Sequence, residues 1–577
     1  MGLCANAGGL ALARVVHSAR GPSAAQPKCR AIEWEEVQGM AQQDCIEHIR
    51  AGNATLPNVL ASIVAGAPDR ELIVCDQGIY TRASFAQAVD KLGGHLRAMG
   101  VGPEDRVMVL SENHIAHPLT LFACAQLGAI FTPINPAYRA GEIRHALTHS
   151  TPRAVLVSPT CLAELSAALI DSDAAPQVML TDGGDASYPA LDSVLSGPAS
   201  SSDCSSGVTE DMPCCMIYTS GTTGNPKGVL HAHRSYVLAG LANAQRLALT
   251  QQDSIMVVLP FFHVNALFYS LAGAVVSGAR LVIRPRFSAT RFWEECVTYG
   301  VTTVNIIESI GAILLARPQS EFRPDHRLRI MYGVRARFEE ALQTRFRVPL
   351  TVGGFGMTEV PGATCTSPGE SNPAGSIGRP ADFDWDKSLS TRCMIADETG
   401  QPMPDGTPGE LLIQAPTLMK GYFNDPEATG AAFREGWLCT GDLVVRDQDG
   451  TYRFISRLKD VIRRRGENIA AAEIEDLLRG HPEVADIAAV AIPSEMGEDE
   501  ILAVIVPDPS AAWPDDEKAR QAHALAAWSA ERIARNKVPR YYAWVEVLPL
   551  TSTHKVAKQK LRADATLLAR AIDTAKT

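Results

Sequence analysis

The chain has 577 residues, more than one ordinary hydrophobic core can organise, so we expect a large compound domain and at least one further unit. Hydrophobic residues make up 46% and charged residues 20%, values typical of a globular protein. The formal net charge of -11 argues against a nucleic-acid-binding protein, so positive charge for a phosphorylated ligand would have to be concentrated locally.

The cysteines and the apolar runs predict a cytoplasmic protein without a transmembrane segment. There are 13 cysteines, an odd number, and they form no CxxC pair, which is typical of reduced thiols. The apolar run from Leu267 ends at Arg280, short of a membrane span. The start of the chain carries arginines and no early acidic residue, as transit peptides do. We nevertheless interpret residues 1–34 as a disordered leader.

From about Thr81 the chain alternates amphipathic helical segments with short apolar strands. Residues 83–100 and 116–129 have helical periodicity, and residues 105–111 between them form a strand-like run. This alternation predicts an α/β fold. Residues 196–207 are rich in serine and glycine and predict a loop.

The sequence TSGTTGNPKG follows that loop at residues 219–228. The apolar run PCCMIY precedes it and a helical pattern follows it, so we expect a strand-to-helix junction. Backbone N–H groups, hydroxyls and one ammonium at such a junction suit a polyphosphate. Pro226 and Gly228 flank the lysine, so the stretch is not a Walker loop. The candidate phosphate-binding residues are Thr219, Ser220, Gly221, Thr222, Thr223, Gly224 and Lys227.

The pattern changes near the C-terminus. Asp449 and Gly450 predict a hairpin turn, and residues 456–460 (SRLKD) predict a linker. An amphipathic helix over residues 470–484, a strand over 487–495 and a helix over 522–537 then indicate a small separate domain. We therefore predict an N-terminal domain over residues 35–457 and a C-terminal domain over residues 458–577.

TSGTTGNPKG resembles the phosphate loop of the adenylate-forming superfamily, which includes acyl-CoA synthetases, the adenylation domains of peptide synthetases and luciferases. Further motifs of this family follow in order: GFGMTE from Gly354, TGDL around Asp442, SRLKD from Ser456, GENIAAAEIE from Gly466 and LPLTSTHKVAKQKLR from Leu548. The resemblance implies an α/β fold with a large N-terminal domain of several subdomains and a small, mobile α+β C-terminal domain. Its hinge would be Lys459, and the branch that it resembles most contains crotonobetaine/carnitine-CoA ligases.

The resemblance implies an ATP-dependent acyl-CoA ligase, AMP-binding and domain-alternating, that converts a carboxylic acid, ATP and CoA to acyl-CoA, AMP and pyrophosphate through an acyl-adenylate. Three alternatives stay open: a ligase specialised for thioester formation, an enzyme that acylates a carrier-protein thiol, and a non-catalytic protein that binds an acyl-adenylate or CoA. The implied cofactors are ATP, Mg²⁺ and CoA, the partner is a small carboxylic acid or its adenylate, and a homodimer is compatible with the resemblance.

The resemblance assigns roles residue by residue. The catalytic residues would be Lys555, Thr358 and Glu359, with Glu359 also the ligand of Mg²⁺. The nucleotide would contact the phosphate loop, Gly354, Phe355, Gly356, Asp442 and Arg457. Coenzyme A would contact Arg464, Arg465, Gly466 and Glu467. The acyl pocket would contain Phe262, His263, Ser309 and Gly311.

Three histidines have possible functional roles as well as ordinary structural ones. His263 lies in an apolar run, so it is either an acyl-site residue or an ordinary core histidine. His145 and His149 have the i, i+4 spacing of metal ligands, but no third ligand accompanies them, and we do not expect zinc.

The chain departs from the family pattern at four positions: Phe355 replaces a tyrosine, Ser456 replaces the hinge glycine, Arg335 ends a Gly-Ala-Pro-like segment, and His554 replaces the glycine before Lys555. Glycine permits backbone conformations closed to histidine. His554 therefore suggests the hypothesis of slow adenylation, against the alternative of tolerated variation in a fully active enzyme.

Overall fold

The computed structural model describes residues 39–170, 172–183, 187–198, 207–219, 226–369, 373–464, 467–493, 499–509, 511, 514, 517–550 and 556–575. These residues belong to one compact unit, Trp34–Thr577. The predicted leader, residues 1–34, lies outside the described residues. The architecture is mixed α/β, with a large N-terminal part and a small C-terminal part, which confirms the predicted fold class.

The large part contains helices on and between its sheets. They are α1 (Met40–Arg50), α2 (Leu56–Gly66), α3 (Arg82–Ala98), α4 (Ala116–Leu127), α5 (Ala140–Ser150), α6 (Leu162–Ile170), α7 (Leu191–Ser196), α8 (His233–Arg246), α9 (Ala272–Ser277), α10 (Phe292–Thr298), α11 (Glu308–Ala316), α12 (Ala336–Phe346) and α13 (Pro426–Ala431). A π-helical segment, Asn265–Leu271, leads directly into α9.

The strands of the large part are β1 (Glu71–Cys75), β2 (Gly78–Thr81), β3 (Arg106–Leu110), β4 (Ile130–Ile134), β5 (Ala154–Val157), β6 (Gln177–Leu180), β7 (Pro213–Tyr218), β8 (Gly228–Ala232), β9 (Ser254–Val257), β10 (Arg280–Ile283), β11 (Thr303–Asn305), β12 (Ile330–Tyr332), β13 (Leu350–Val352), β14 (Gly354–Met357), β15 (Val360–Cys365), β16 (Ser376–Pro380), β17 (Arg392–Ala396), β18 (Gly409–Gln414), β19 (Gly421–Tyr422), β20 (Phe433–Arg434), β21 (Trp437–Arg446) and β22 (Tyr452–Arg457).

These strands form three sheets. The first parallel sheet has the order β13-β12-β11-β9-β10-β1-β2, with only β2 antiparallel to its neighbour. The second parallel sheet has the order β19-β8-β7-β4-β3-β5-β6, and its β7, β8 and β19 pair antiparallel. The antiparallel sheet has the order β14-β15-β16-β22-β21-β18-β17, with β20 added to β21.

One hydrophobic core joins the two parallel sheets. Val107 and Phe131 of the second sheet and Ile255 and Val304 of the first belong to the same buried cluster. Helix α4 is buried along most of its length because it contributes to this shared core. The layers thus follow the helix-and-sheet packing expected of α/β proteins.

Local sequence explains where these helices start and stop. The Thr81 hydroxyl accepts a hydrogen bond from the Ser84 N–H (3.1 Å) and caps α3. Gly128, with φ of 66°, ends α4 in the left-handed conformation that favours glycine. The buried face of α3 carries apolar residues at helical spacing: Phe85, Val89, Leu92 and Leu96.

The C-terminal part begins after β22. Its strands are β23 (Val461–Arg464), β24 (Glu467–Ala470), β25 (Val484–Pro493), β26 (Asp499–Pro507), β27 (Tyr541–Trp544) and β28 (Ile572–Asp573), and its helices are α14 (Ala471–Arg479), α15 (Lys518–Ala530), α16 (Lys558–Ala563) and α17 (Ala565–Arg570). Strands β25, β26, β27 and β28 form a sheet in that order, and β23 pairs with β24. Successive residues of β25 alternate between two apolar clusters, so the four-stranded sheet is packed on both faces. The boundary at residues 457 and 458 and the mobility of this part stay predictions.

Two sequence predictions about elements were wrong in detail. The phosphate-loop motif does not lead straight into a helix, because β8 follows it and pairs with both β7 and β19 before α8 begins at His233. The helix predicted over residues 522–537 is α15, which begins earlier and ends at Ala530. The predicted turn at Asp449 and Gly450 is confirmed, with Gly450 at φ of 84°.

Membrane spans and disulfides are both missing from the parts of the chain listed above. No helix there is long and apolar enough to cross a bilayer. The cysteines in those parts all carry free thiols: Cys45, Cys75, Cys124, Cys161, Cys214, Cys215, Cys296, Cys365, Cys393 and Cys439.

Candidate active site

The carboxyl edge of the first parallel sheet gathers several of the predicted site residues. Strands β13, β12, β11 and β9 are neighbours and run parallel, so the segments that follow them leave the sheet at the same edge. Ligands of open parallel sheets bind outside this edge. Those segments carry the predicted acyl-pocket and adenine-side residues: Phe262, His263, Ser309, Gly311, Gly354, Phe355 and Gly356.

These residues differ in their surroundings. The rings of Phe262 and His263 lie 4.3 Å apart, and both are half-buried. Ser309 is exposed near the start of α11, whereas Gly311 is buried against Phe338 of α12. Phe355 is half-buried at the edge of an apolar cluster. Their roles toward an acid or adenine stay predictions.

Close packing requires glycine at Gly333 in the turn after β12. Gly333 has φ of 86°, and an added Cβ would lie 2.0 Å from the carbonyl oxygen of Ile306. The turns after β11 and β12 therefore lie against each other. Arg335, which departs from the family pattern, precedes α12 at the N-cap position without a side-chain capping bond, and its guanidinium lies 3.8 Å from the Glu308 carboxylate.

Thr358 and Glu359 form the tip of a tight β-hairpin. Met357 of β14 faces Val360 of β15, so these two residues are the whole turn. Gly356 lies just before it, where an added Cβ would be 2.6 Å from the Tyr269 hydroxyl. Glu359 is buried, with 7% of its surface exposed. A two-residue turn thus presents a largely buried carboxylate.

The turn is anchored to β8 by His231. The His231 Nε2–H donates a hydrogen bond to the Thr358 carbonyl oxygen (2.7 Å), and its ring lies 4.7 Å from that of Phe268. Burial lowers the pKa of His231 to about 4, against the bond to Thr358, so the imidazole is neutral near pH 7. Strand β8, which follows the predicted phosphate loop, is therefore hydrogen-bonded to the turn that carries the candidate catalytic residues Thr358 and Glu359.

The ends of the phosphate loop lie together. The Thr219 N–H donates to the Lys227 carbonyl oxygen (2.9 Å), and the Lys227 N–H donates to the Thr219 hydroxyl (3.4 Å). The predicted residues Ser220, Gly221, Thr222, Thr223 and Gly224 lie outside the described residues. Lys227 is exposed, and its ammonium lies 4.7 Å from the centroid of the Tyr422 ring.

Tyr422 connects Lys227 with Glu359. Its hydroxyl donates to Glu359 Oε1 (2.7 Å) while its ring lies against the ammonium. Burial, reinforced by the Glu359 charge and hydrogen bond, raises the pKa of Tyr422 far above its ordinary value, so the phenol is protonated and donates. Sequence reasoning missed both Tyr422 and His231, since they lie 63 and 127 residues from their partners in this turn.

The candidate ribose site is a buried carboxylate paired with arginine. Asp442 of β21 faces Arg457 of β22 in register, and the Arg457 Nε lies 2.8 Å from Asp442 Oδ1. The Asp442 side chain is fully buried, whereas that of Arg457 is 35% exposed. The pair lies beside the short turn Leu458–Asp460, which contains the predicted hinge residue Lys459.

Arg464 lies inside the C-terminal part and does not face solvent. Its guanidinium pairs with Glu500 (2.7 Å) and donates to the carbonyl oxygens of Asn536 and Val538 (both 2.8 Å). Only 6% of its surface is exposed, so this arrangement serves packing and does not offer the guanidinium to CoA. The predicted residues Arg465, Gly466 and Lys555, the side chain of Glu467, and His554 lie outside the described residues.

One histidine of the pair on α5 contacts a tyrosine. His149 Nδ1 lies 2.9 Å from the Tyr218 hydroxyl, and the rings of His145 and His149 are 6.0 Å apart. No cluster of three or more potential metal-ligating side chains occurs within the described ranges. A single carboxylate, Glu359, is still suited to Mg²⁺, which takes one or two carboxylates and completes its shell with waters and substrate phosphates.

Comparison with known proteins decides the family. The sequence matches the family described as AMP-binding enzyme over residues 60–423, and the AMP-binding enzyme C-terminal domain over residues 473–555. This chain is an AMP-binding enzyme. The adenylate-forming superfamily inferred from the motifs is thereby confirmed.

Relatives of this AMP-binding enzyme are CoA ligases. It is 32% identical to the sulfoacetate–CoA ligase of Cupriavidus necator over 88% of this chain and 97% of the relative. It is 27% identical to the crotonobetaine/carnitine–CoA ligase of Proteus mirabilis over 84% and 93%. The solved structure of Bacillus subtilis o-succinylbenzoate CoA synthetase with its acyl-adenylate is 25% identical, with a TM-score of 0.75 over 87% of this chain and 97% of that one. The AMP-binding enzyme is accordingly an acid-thiol ligase of the acyl-CoA synthetase type.

Proposed function

We propose that this enzyme activates a carboxylic acid with ATP and transfers the acyl group to CoA through an acyl-adenylate. The observation that carries the proposal is the placement of Lys227 and Glu359 on one phenol, Tyr422. An exposed ammonium suits phosphate, and a buried carboxylate suits a divalent cation. A site that handles a metal-bound polyphosphate needs both groups side by side.

The first half-reaction joins two anions. An oxygen of the acid's carboxylate attacks the α-phosphorus of ATP, the bond to the bridging oxygen breaks, and pyrophosphate leaves with the electron pair. Most of the catalytic task is to neutralise charge and to align these groups. Lys227 and the loop from Thr219 would hold the β- and γ-phosphates, and Thr358 would contact the α-phosphate. Lys555 would stabilise the charge that develops between the acid and that phosphate.

Glu359 would hold Mg²⁺, whose charge, when the ion is bound, offsets that of the phosphate oxygens. The protein's own contribution is to fix the carboxylate. The hairpin turn, the Tyr422 hydroxyl and the anchor from His231 restrict where it can point. Preorganisation of this kind avoids reorganisation cost when the substrate arrives.

The nucleoside would be read at the buried pair and the sheet edge. The Asp442 carboxylate would accept hydrogen bonds from the ribose hydroxyls, and Arg457 would direct some of its guanidinium N–H groups toward the nucleotide. Phe355, between Gly354 and Gly356, would stack on adenine. What supports this role is the position of Asp442 in the TGDL motif, opposite Arg457 in the sheet. Because its side chain is fully buried in this structure, the ribose hydroxyls would reach it only after neighbouring side chains move.

In the second half-reaction the thiol sulfur of CoA attacks the acyl carbon, AMP leaves, and the thiol proton is lost. We propose that the C-terminal part turns about Lys459 between the two steps. Arg465, Gly466 and Glu467 remain the proposed CoA contacts. Arg464 is not proposed as one, because its guanidinium is engaged inside the domain.

The test is mass spectrometry of the purified protein with ATP, Mg²⁺, CoA and a panel of acids, in which AMP, acyl-adenylate and acyl-CoA are followed together. The panel includes sulfoacetate, crotonobetaine, carnitine, o-succinylbenzoate, and simple aliphatic and aromatic acids. We expect acyl-CoA with matching AMP for one chemical class, and loss of both products in Lys555→Ala.

Three other outcomes separate the alternatives. Acyl-CoA formed only from supplied acyl-adenylates would indicate a ligase confined to thioester formation, and a gain in His554→Gly would assign the defect to His554. Acyl transfer to a holo carrier protein and not to CoA would identify the carrier-protein thiol as the acyl acceptor. ATP binding without any product across these arms would contradict the proposal in favour of a binding protein.

A further inference from the structure

A short segment joins the two halves of the proposed phosphate site. We call residues 419–423 the bridging segment. The Met419 N–H donates to the Glu359 carbonyl oxygen (2.8 Å), and the Phe423 N–H donates to the Gly228 carbonyl oxygen (2.7 Å). The segment thus binds the backbone of the turn that presents Glu359 and the residue that follows Lys227.

Tyr422 is held firmly within this segment. Its N–H donates to the Thr429 hydroxyl (2.9 Å), and β19 pairs with β8 so that Tyr422 faces Val229. Gly421, at φ of 143°, allows the chain to turn into this strand, where an added Cβ would meet the Thr429 side chain at 3.0 Å. The backbone therefore leaves the phenol little freedom to move away from its two charged neighbours.

Different parts of the Tyr422 side chain contact the two charged groups. Its hydroxyl donates to Glu359 Oε1 (2.7 Å), and its ring lies 4.7 Å from the Lys227 ammonium. A hydroxyl stabilises an anion by a charge-assisted hydrogen bond, and a ring face attracts a cation through its quadrupole. Lys227 and Glu359, both within the described chain, form no ion pair with each other in the structure.

We propose that Tyr422 is a positioning residue that keeps Lys227 and Glu359 from pairing with each other, so that the ammonium stays available to the phosphates of ATP and the carboxylate to the divalent cation. This inference rests on the proposed function. A direct ion pair would neutralise both groups and would have to be broken before a polyphosphate and its metal could bind. The attraction between the Tyr422 ring and the Lys227 ammonium is weak, so the phosphates of ATP can draw the ammonium away from the ring.

The test is calorimetric titration of the full chain with ATP, once with EDTA and once with Mg²⁺, without acid or CoA, so that no turnover is needed. Tyr422→Phe removes only the hydroxyl. We expect near wild-type ATP affinity in EDTA and a loss of about tenfold in the affinity gained with Mg²⁺. Tyr422→Leu also removes the ring and frees Lys227 to pair with Glu359. We expect weaker ATP binding in EDTA as well.

The matched control is Tyr452→Phe. The Tyr452 hydroxyl donates to the Cys393 carbonyl oxygen (3.0 Å) in the antiparallel sheet, not to Glu359. Its loss is an equal chemical change, so we expect unaltered ATP affinity in both titrations. A double variant, Tyr422→Leu with Glu359→Gln, removes the carboxylate that would capture Lys227 and should recover ATP affinity in EDTA toward the wild-type value.

The outcomes separate this inference from the proposed function. A wild-type protein that binds no ATP would overturn both. A wild type that binds ATP, with both Tyr422 variants indistinguishable from it in EDTA and in Mg²⁺, would overturn the inference alone. So would a double variant as weak as Tyr422→Leu. If Tyr422→Leu does not fold, the nearly isosteric Tyr422→Phe still decides whether the hydroxyl controls the gain with Mg²⁺.

Discussion

Asp442 and Arg457 show how a single pair can prepare a recognition site before any ligand is present. The carboxylate is fully buried, while the guanidinium remains 35% exposed and 2.8 Å away. A carboxylate without such a partner would be costly to bury. Nucleotide binding at this position would have to expose the carboxylate before the ribose hydroxyls could reach it.

We predict that Asp442→Asn weakens ATP binding about tenfold or more, because a charged acceptor for ribose hydroxyls becomes a neutral amide. Calorimetric titration with ATP measures this change. The matched control is Asp447→Asn, whose carboxylate pairs with Arg453 (2.6 Å) near the far end of the same strands and should leave ATP affinity unchanged. Equal affinities of Asp442→Asn and the wild type would remove Asp442 from nucleotide recognition.

Motifs predicted Lys227 and Glu359 but not the residues that position them. His231 and Tyr422 act through contacts set by the pairing of β8 with β7 and β19, and no local pattern in the sequence encodes that pairing. For Arg464 the sequence predicted a ligand contact but not the side chain's partners inside the domain. A run of arginines indicates an exposed basic turn, yet its partners Glu500, Asn536 and Val538 come from distant parts of the chain.

At the scale of elements, periodicity placed a minority of the helices and strands, such as α3, α4, α14 and β3, and one clear error concerns a short strand. Strand β8 is only Gly228–Ala232, and no glycine or proline separates its sequence GVLHA from α8, which begins at the next residue. A short strand between two sheet neighbours is stabilised by pairing, not by its own pattern. The turns at the carboxyl edge of the first parallel sheet depend similarly on contacts between segments that are far apart in sequence.

The turn after β12 tests this dependence. Gly333→Ala places a Cβ 2.0 Å from the Ile306 carbonyl oxygen, so a backbone shift is unavoidable. We expect a loss of at least about 4 kcal/mol in the free energy of unfolding, measured by urea denaturation. Gly406→Ala is the matched control, since Gly406 has nearly the same φ, 84°, with nothing within 4 Å of an added Cβ.

The control should lose only about 1–2 kcal/mol, the cost of a left-handed conformation for alanine. Equal losses in the two variants would mean that backbone conformation alone matters at Gly333, and that the contact between the turns after β11 and β12 contributes nothing.

At the scale of the whole molecule, buried histidines make the fold sensitive to mild acid. Burial lowers the pKa of His117 to about 3 and those of His231 and His233 to about 4, from 6.5 when exposed. The unfolded chain therefore binds protons below pH 6.5 that the folded chain does not bind until about pH 4. Stability is greatest above pH 6.5 and falls between these values.

We predict that the thermal midpoint falls progressively between pH 7 and pH 4.5, with each histidine contributing up to about 1.4 kcal/mol per pH unit below 6.5. Carboxylates with lowered pKa values contribute fully only in the upper part of this window. Aspartates such as Asp397, with an ordinary pKa of 3.8, and glutamates such as Glu164, with an ordinary pKa of 4.5, begin to lose their contribution below about pH 5 and about pH 5.5, and this loss adds to the fall at the acidic end. His117→Phe keeps an aromatic ring against Phe261 and should reduce the slope. A midpoint that does not change between pH 7 and pH 5 would contradict this account.

Three partly buried thiols of the antiparallel sheet bear on how the enzyme would tolerate its proposed intermediate. An acyl-adenylate acylates any thiolate within reach, including one on the protein. Cys365 faces Gly354 across the hairpin that carries Thr358 and Glu359, and burial raises its pKa, as it does for Cys393 and Cys439 in the same sheet. These sulfurs stay protonated near neutral pH and are poor nucleophiles. Under the proposed mechanism, self-acylation at these cysteines would therefore be suppressed, and the activated acid would survive until an external thiol arrives.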